Sequence, residues 1–159
     1  MTGSAHKWMT PAALQKLQDE YDHLTTDGRQ EVVRRIAEAR EHGDLKENGE
    51  YDAAKNEQGL MEARIRELRH LIDNAVVEPV PDSGAVEIGT VATVVDDDGD
   101  ELAFFVAPAE NRVDGMLLAS PDSPLGAALL GARPGQDVTF DAPGGTFTYR
   151  VTQVHTYEG

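Results

Sequence analysis

Two carboxylates three residues apart, Asp44 and Glu47, are the most concentrated chemical signal in this chain. They lie in His42-Gly43-Asp44-Leu45-Lys46-Glu47-Asn48-Gly49, a polar stretch bracketed by glycines, and Glu41, Glu50 and Asp52 add negative charge beside it. At that spacing two side chains share one side of a helix, and paired carboxylates can offer oxygens to a hard divalent cation. Two ligands are too few for Mg²⁺, which keeps several waters and wants further ligands, so the pair gains metal chemistry only if a partner supplies the rest. The same Asp-x-x-Glu pattern is that of a capping box, with Asp44 capping the next helix and Glu47 reaching back to the cap N–H. Spacing by itself favours the cap.

Other candidates are weaker. His6, His23, His42, His70 and His155 show no metal-ligand spacing with one another or with carboxylates. Asp96-Asp97-Asp98-Gly99-Asp100 resembles the start of a calcium loop, but the twelfth-position Glu is missing and the run falls between two expected strands; a solvated turn is the better reading. No nucleophile-elbow, phosphate-loop or dinucleotide glycine pattern occurs, which argues against an autonomous enzyme. Arg34, Arg35, Arg40, Lys55, Arg64, Arg66 and Arg69 flank the apolar stripes and suit ion pairing with neighbouring glutamates.

The elements that would position the acidic pair are two helices. Thr10 can cap the first and Pro11 suits its first position, where a missing N–H costs nothing. Leu14, Leu17, Tyr21 and Leu24 follow at spacings of three and four, a coiled-coil seam. Thr25-Thr26-Asp27-Gly28 interrupts it, and the stripe resumes out of phase at Val32, Val33, Ile36 and Ala39, so a kink or stutter in one long helix is expected. The second helix carries Tyr51, Ala54, Gln58, Met61, Ile65, Leu68 and Ile72 on one seam. Two seams joined by a short turn make an antiparallel hairpin. From Pro11 to Glu41 it would run about 45 Å at the α-helical rise, and it should project as a finger. The same stripes would also fit a bundle formed by two copies.

After a Pro- and Gly-punctuated linker around Asn74–Gly89 the pattern turns to strands: Ile88–Val95, Leu102–Ala107, Met116–Ala119, Asp137–Asp141 and Thr146–Val154. Ala142-Pro143-Gly144-Gly145 marks a hairpin, and a short helix over Pro124–Leu130 is closed by Gly131. Most of Phe104, Phe105, Phe140, Phe147, Tyr149 and Tyr157 alternate inward as core. The fold class is α+β: residues 1–78 a helical finger with its acidic tip at 43–48, residues 79–159 a β-rich domain.

Composition narrows the function. With 159 residues, 40% hydrophobic and 27% charged, the chain reads as a soluble folded protein. It has no cysteine, consistent with a reducing cytoplasm, and neither a signal peptide nor a membrane-spanning run is expected. A net charge of −15 disfavours strong binding to free DNA or to an anionic membrane. The first 79 residues hold 11 of 14 basic and 16 of 29 acidic residues, a net of −5; the remainder carries −10.

The tip region, Ile36-Ala37-Glu38-Ala39-Arg40-Glu41-His42-Gly43-Asp44-Leu45-Lys46-Glu47-Asn48-Gly49-Glu50-Tyr51-Asp52-Ala53-Ala54-Lys55, closely resembles that of GreA-type bacterial transcription elongation factors. Trp8-Met9-Thr10, Glu57-Gln58-Gly59, Arg64-Ile65-Arg66-Glu67-Leu68, Asn74-Ala75, Ser123-Pro124-Leu125-Gly126, Ala128-Leu129-Leu130-Gly131 and Pro143-Gly144-Gly145 extend the resemblance over nearly the whole chain. The resemblance implies an N-terminal antiparallel coiled coil and a C-terminal FKBP-like domain that docks at the rim of RNA polymerase's secondary channel. Asp44 and Glu47 match the tip acids, which would share a Mg²⁺ with the polymerase and stimulate its own cleavage of the nascent RNA 3′ end in backtracked complexes. Arg40, Lys46, Lys55, Ser123 and Pro124 are the implied RNA or polymerase contacts. The factor would act as a monomer and would not itself be an enzyme. Two positions depart from the pattern: Asp52 replaces the usual His, and Ala127 stands where many members carry Arg. The competing readings are an inhibitory paralogue that blocks the same channel and, from a different class, a coiled-coil chaperone or prolyl isomerase.

Overall fold

Thr10 and Pro11 open the first helix as their chemistry requires: the Thr10 hydroxyl accepts from the Ala13 N–H at 3.0 Å. The computed structural model describes residues 6–41 and 49–158. In chain order the elements are β1 (Lys7–Trp8), α1 (Pro11–His23), a π-helical turn (Leu24–Gly28), α2 (Arg29–Glu41), α3 (Gly49–Asp73), β2 (Ala75–Val76), β3 (Thr90–Val95), β4 (Glu101–Val106), β5 (Leu117–Ala119), α4 (Pro124–Leu129), β6 (Asp137–Ala142) and β7 (Gly145–Thr156). A short 3₁₀ turn, Ala109–Asn111, lies between β4 and β5. The chain divides into two units, Leu14–Asn74 and Met1–Ala13 with Ala75–Gly159.

In the helical unit the break at Thr25–Gly28 is a π turn inside a continuous helical run, α1 into α2. Its cause is legible in the seam. Leu17 to Leu24 is seven residues and Val32 to Ala39 is seven, but Leu24 to Val32 is eight. A π turn takes up one additional residue and returns the stripe to the same face. Widening a helix there disturbs the regular backbone ladder, and threonine hydroxyls bond to nearby carbonyls: Thr25 Oγ1 donates to Tyr21 O at 2.8 Å and Thr26 Oγ1 to Asp22 O at 2.7 Å. Val33 was expected on the stripe but is 57% exposed, because with this phase Val32 and Ala39 are the residues that point inward. Gly28 lies close to α3; a Cβ there would meet Met61 Sδ at 3.2 Å. On α3, Ala54, Ile65, Leu68 and Leu71 are buried.

The other unit is a five-stranded sheet in the order β5-β4-β3-β7-β6, antiparallel except for the β4–β5 pair. Alternation along β4 sends Phe104 and Val106 to one face and Phe105 to the other. The first face packs with Leu129 of α4 around Ala92, Val94, Val138 and Val151. The β3–β7 register shifts between Thr93 and Val94, leaving Thr152 as the additional residue of a bulge. This parity change lets Val151 and Val154, three apart, serve the same core. On the second face Phe105 stacks on Tyr157 at 4.3 Å and meets the edge of Trp8 at 6.3 Å.

That aromatic contact shows why the first residues group with the sheet rather than with the helices. Sequence patterning assigned residues 1–78 to the finger, yet β1 pairs in parallel with β2, and the Trp8 indole N–H donates to Glu78 O at 3.0 Å. Fully buried Asn111 completes the attachment. Its Oδ1 accepts from Thr10 N at 2.8 Å, and its Nδ2 donates to Trp8 O and Pro108 O at 3.0 and 3.1 Å. Expected strand ends differ from the observed ones by at most two residues, and the helix over Pro124–Leu129 and the Pro143–Gly144 hairpin stand as expected. Phe147 is 41% exposed, the aromatic that alternation placed least well.

Candidate functional site

Small residues bring the two helices together at the ends that flank residues 42–48. Ala39 and Ala54 are 2% and 1% exposed, and short side chains allow backbones to approach closely. Just above them the Arg40 guanidinium lies 5.8 Å from the ring centroid of Tyr51, a cation–π contact joining the last turn of α2 to the first of α3. Lys55, one turn further along α3, donates to Gln58 Oε1 at 3.1 Å and is exposed. Asp44, Lys46 and Glu47 lie outside the described residues. The structure thus places Arg40 and Lys55 on facing helices, near the ends that flank residues 42–48.

Further along, the helices are joined by charge. Arg64 grips Glu20 with two bonds of 2.8 Å and also reaches Glu67; Arg29 grips Glu62 at 2.9 and 3.0 Å; Arg35 reaches Glu57 at 2.5 Å. The Arg64 hydrogen bond holds the Glu20 carboxyl below its usual range, against the opposing effect of burial. Arg35 and Arg29 lower Glu57 and Glu62 in the same way, and the guanidinium pKa values rise in return. Arg34 pairs along its own helix with Glu31 and Glu38, and Arg69 with Asp73. Most of the basic flank is therefore engaged in ion pairs, as its interspersion with glutamates suggested.

The Ser-Pro-x-Gly segment is built by backbone chemistry. Ser123 caps α4, its Oγ accepting from Gly126 N at 3.0 Å while donating to Ser120 O at 2.7 Å, and Pro124 takes the first helical turn. Gly126 is obligatory: a Cβ there would lie 1.8 Å from Ser120 O. Gly131 ends the segment at φ +86°, where a side chain is strained. Ser123 is half-buried with its hydroxyl occupied, and Pro124 and Ala127 present the exposed surface.

Among the described residues, the acidic group whose oxygens converge is Asp96, Asp98 and Asp100, all within 4.8 Å of one another. Asp96 Oδ1 accepts from the N–H groups of Asp98 and Asp100, both at 2.9 Å, so its carboxylate shapes the β3–β4 turn.

Two family patterns match the chain. Residues 7–77 match the family described as "Transcription elongation factor, N-terminal", and residues 81–156 match "Transcription elongation factor, GreA/GreB, C-term". The chain belongs to the GreA/GreB transcription elongation factor family. It is 40% identical over 156 residues to the transcription elongation factor GreA of Streptomyces coelicolor, covering 96% of this chain and 94% of that one. It is 42% identical to GreA of Saccharopolyspora erythraea, covering 96% of both chains. Against GreA of Mycolicibacterium smegmatis it is 40% identical, with both chains covered in full. A crystal structure of the GreA factor homolog 1 (Gfh1) protein of Thermus thermophilus is similar at 30% identity and a TM-score of 0.44, covering 94% of this chain and 99% of that one.

In this GreA/GreB chain, sequence reasoning named Arg40 as a contact candidate but missed Tyr51 as its partner and Asn111 as the anchor of the N-terminal strand. An i, i+11 separation across a turn could have suggested the first. No local signal marks Asn111 as this anchor, because its partners in the N-terminal segment, Thr10 and Trp8, lie about a hundred residues away. Among the described residues no helix is long and apolar enough to cross a membrane.

Proposed function

We propose that this elongation factor, an accessory protein of the cytoplasm, acts on RNA polymerase through its secondary channel. There it stimulates the polymerase's own cleavage of the nascent RNA 3′ end in backtracked complexes. The supporting observation is family membership across both units, together with a hairpin that carries Asp44 and Glu47 between two helices joined at Arg40 and Tyr51. In this reading Asp44 and Glu47 are the tip acids, and the FKBP-like sheet unit docks on the polymerase through the exposed surface around Ser123 and Pro124. The factor works as a monomer.

Two carboxylates suit Mg²⁺ in ligand type but are too few to hold it alone, so the remaining ligands come from the polymerase. When shared in this way the ion supplies Lewis-acid stabilisation and a more acidic bound water. The chain's own contribution is to present the Asp44 and Glu47 oxygens as ligands. The cationic side chains Arg40, Lys46 and Lys55 offset charge near the RNA phosphates.

The test is cleavage by purified polymerase on a halted, backtracked template. Asn caps a helix about as well as Asp, so Asp44→Asn separates cap from metal ligand. Expected is loss of stimulated cleavage with polymerase binding retained; Glu47→Gln should behave alike. Undiminished cleavage by Asp44→Asn would overturn the assignment. Blocked elongation without cleavage by the unaltered protein would make it the inhibitory paralogue.

A further inference from the structure

A groove of about 660 Å³ opens between the π turn and the middle of α3, wholly within the helical unit. Its apolar lining is Leu24, Val32, Leu60 and Met61. The groove is a window between two latches, Glu20–Arg64 at one end and Arg35–Glu57 at the other. Arg29–Glu62, which joins the same two helices, does not line it. On α3, Glu57 and Arg64 lie one turn to either side of Leu60. A charged residue at that position would make a third latch; instead Leu60 presents an apolar side chain 65% exposed to water. The window lies beside the π turn, a distortion often found at functional positions.

The rim decides what fits. Glu20, Asp27, Glu31 and Glu57 contribute four carboxylates to the lining, against the Arg64 guanidinium and the His23 ring, while Arg34 and Arg35 pair with Glu31 and Glu57 from outside it. Asp27, Glu31 and Glu57 remain 77%, 55% and 56% exposed despite their partners within the chain, so each has oxygens available to a second cation. Phosphate backbones are repelled by such a rim, and so is a second copy of a chain carrying −15. Residues 20 to 31 span about 16 Å of helix, room for a peptide of roughly ten residues in helical form.

We propose that this groove binds a cationic amphipathic segment of a partner protein, seating a large apolar side chain against Leu60, Leu24 and Met61 between Lys or Arg residues paired with Asp27, Glu31 and Glu57. The site is independent of the role assigned to the tip.

The probe is a fluorescein-labelled helical peptide of Leu, Ala and Arg, about a dozen residues long to match the groove. Two controls accompany it, one with Leu replaced by Ser and one with Arg replaced by Glu. The full chain should bind the parent peptide saturably, with NMR shifts at the methyl groups of Leu24, Val32, Leu60 and Met61. Both controls should bind about tenfold more weakly or worse, as should the exposed-site variant Leu60→Gln. The doubly neutral Asp27→Asn, Glu31→Gln chain should weaken binding and flatten its salt dependence. Equal binding of the Ser control, or no effect of Leu60→Gln, would show only diffuse attraction to an acidic protein and overturn the proposal. Concentration-dependent self-association abolished by Leu60→Gln would give the groove to a second copy and overturn it equally.

Discussion

The Arg40 guanidinium sits 5.8 Å above the centre of the Tyr51 ring, joining the last turn of α2 to the first turn of α3. A cation held over an aromatic face at an exposed site stabilises by about 0.5–1 kcal/mol. Tyr51→Leu keeps an apolar side chain but loses the ring face. Helical content by circular dichroism should be unchanged, with stability lowered by about that amount in urea denaturation. An unaltered midpoint would show that the contact contributes nothing.

The eight-residue step from Leu24 to Val32 makes the π turn a matter of register. Deleting Thr26 restores a seven-residue step, and the shortened segment should run as plain α-helix with both stripes still facing α3. Deleting Glu38 instead leaves the π turn in place and rotates the helix beyond it by about 100°. We expect the first deletion to shift thermal unfolding by only a few degrees and the second to lower it far more. Equal damage from both would show that the π turn is not what absorbs the additional residue.

Gly126 has no room for a methyl group, because Ser120 O occupies the position. Gly126→Ala must displace the backbone around the Ser123 cap, a strain of several kcal/mol, about 3 or more. Loss of near-ultraviolet dichroism from Tyr149 and its neighbours is the expected readout. The control Ala127→Gly, at an exposed position of the same helix, should cost about 1 kcal/mol or less.

Acid should loosen the helical pair in a defined direction. Glu20, Glu57 and Glu62 are held below the ordinary glutamate value of 4.5 by Arg64, Arg35 and Arg29. A carboxyl lowered in the folded state binds fewer protons there than in the unfolded chain. Its stabilisation is therefore full above the unfolded value and lost as pH falls through the folded one. Melting temperature should be flat from neutral pH to about 5 and decline below 4.5 on this account. Replacing Glu20 and Glu62 with Gln should reduce that decline, and an identical acid profile would remove the ion pairs as its cause.

Local chemistry made much of this protein legible from its residues. Thr10-Pro11 starts a helix, Ser123-Pro124 starts another, and Pro143-Gly144-Gly145 turns a hairpin, because caps and turns are satisfied within a few neighbouring residues. The seams of α1 and α3 showed nearly as well, since a stripe at three-four spacing can be buried in few other ways, although Leu71 rather than the expected Ile72 is buried at the end of α3; the tip motif pointed to the family. Tertiary structure decided what depends on distant partners. That Val33 faces water follows from the π turn placing Val32 and Ala39 against α3. Residues 7–8 join the sheet unit because Val76, Glu78 and Asn111 take up their polar groups and Phe105 meets the Trp8 ring. The open window at Leu60 exists because Arg64 and Arg35 pair on either side of it. In each case the determining energy lies in a contact between residues far apart in the chain, which no short stretch of sequence contains.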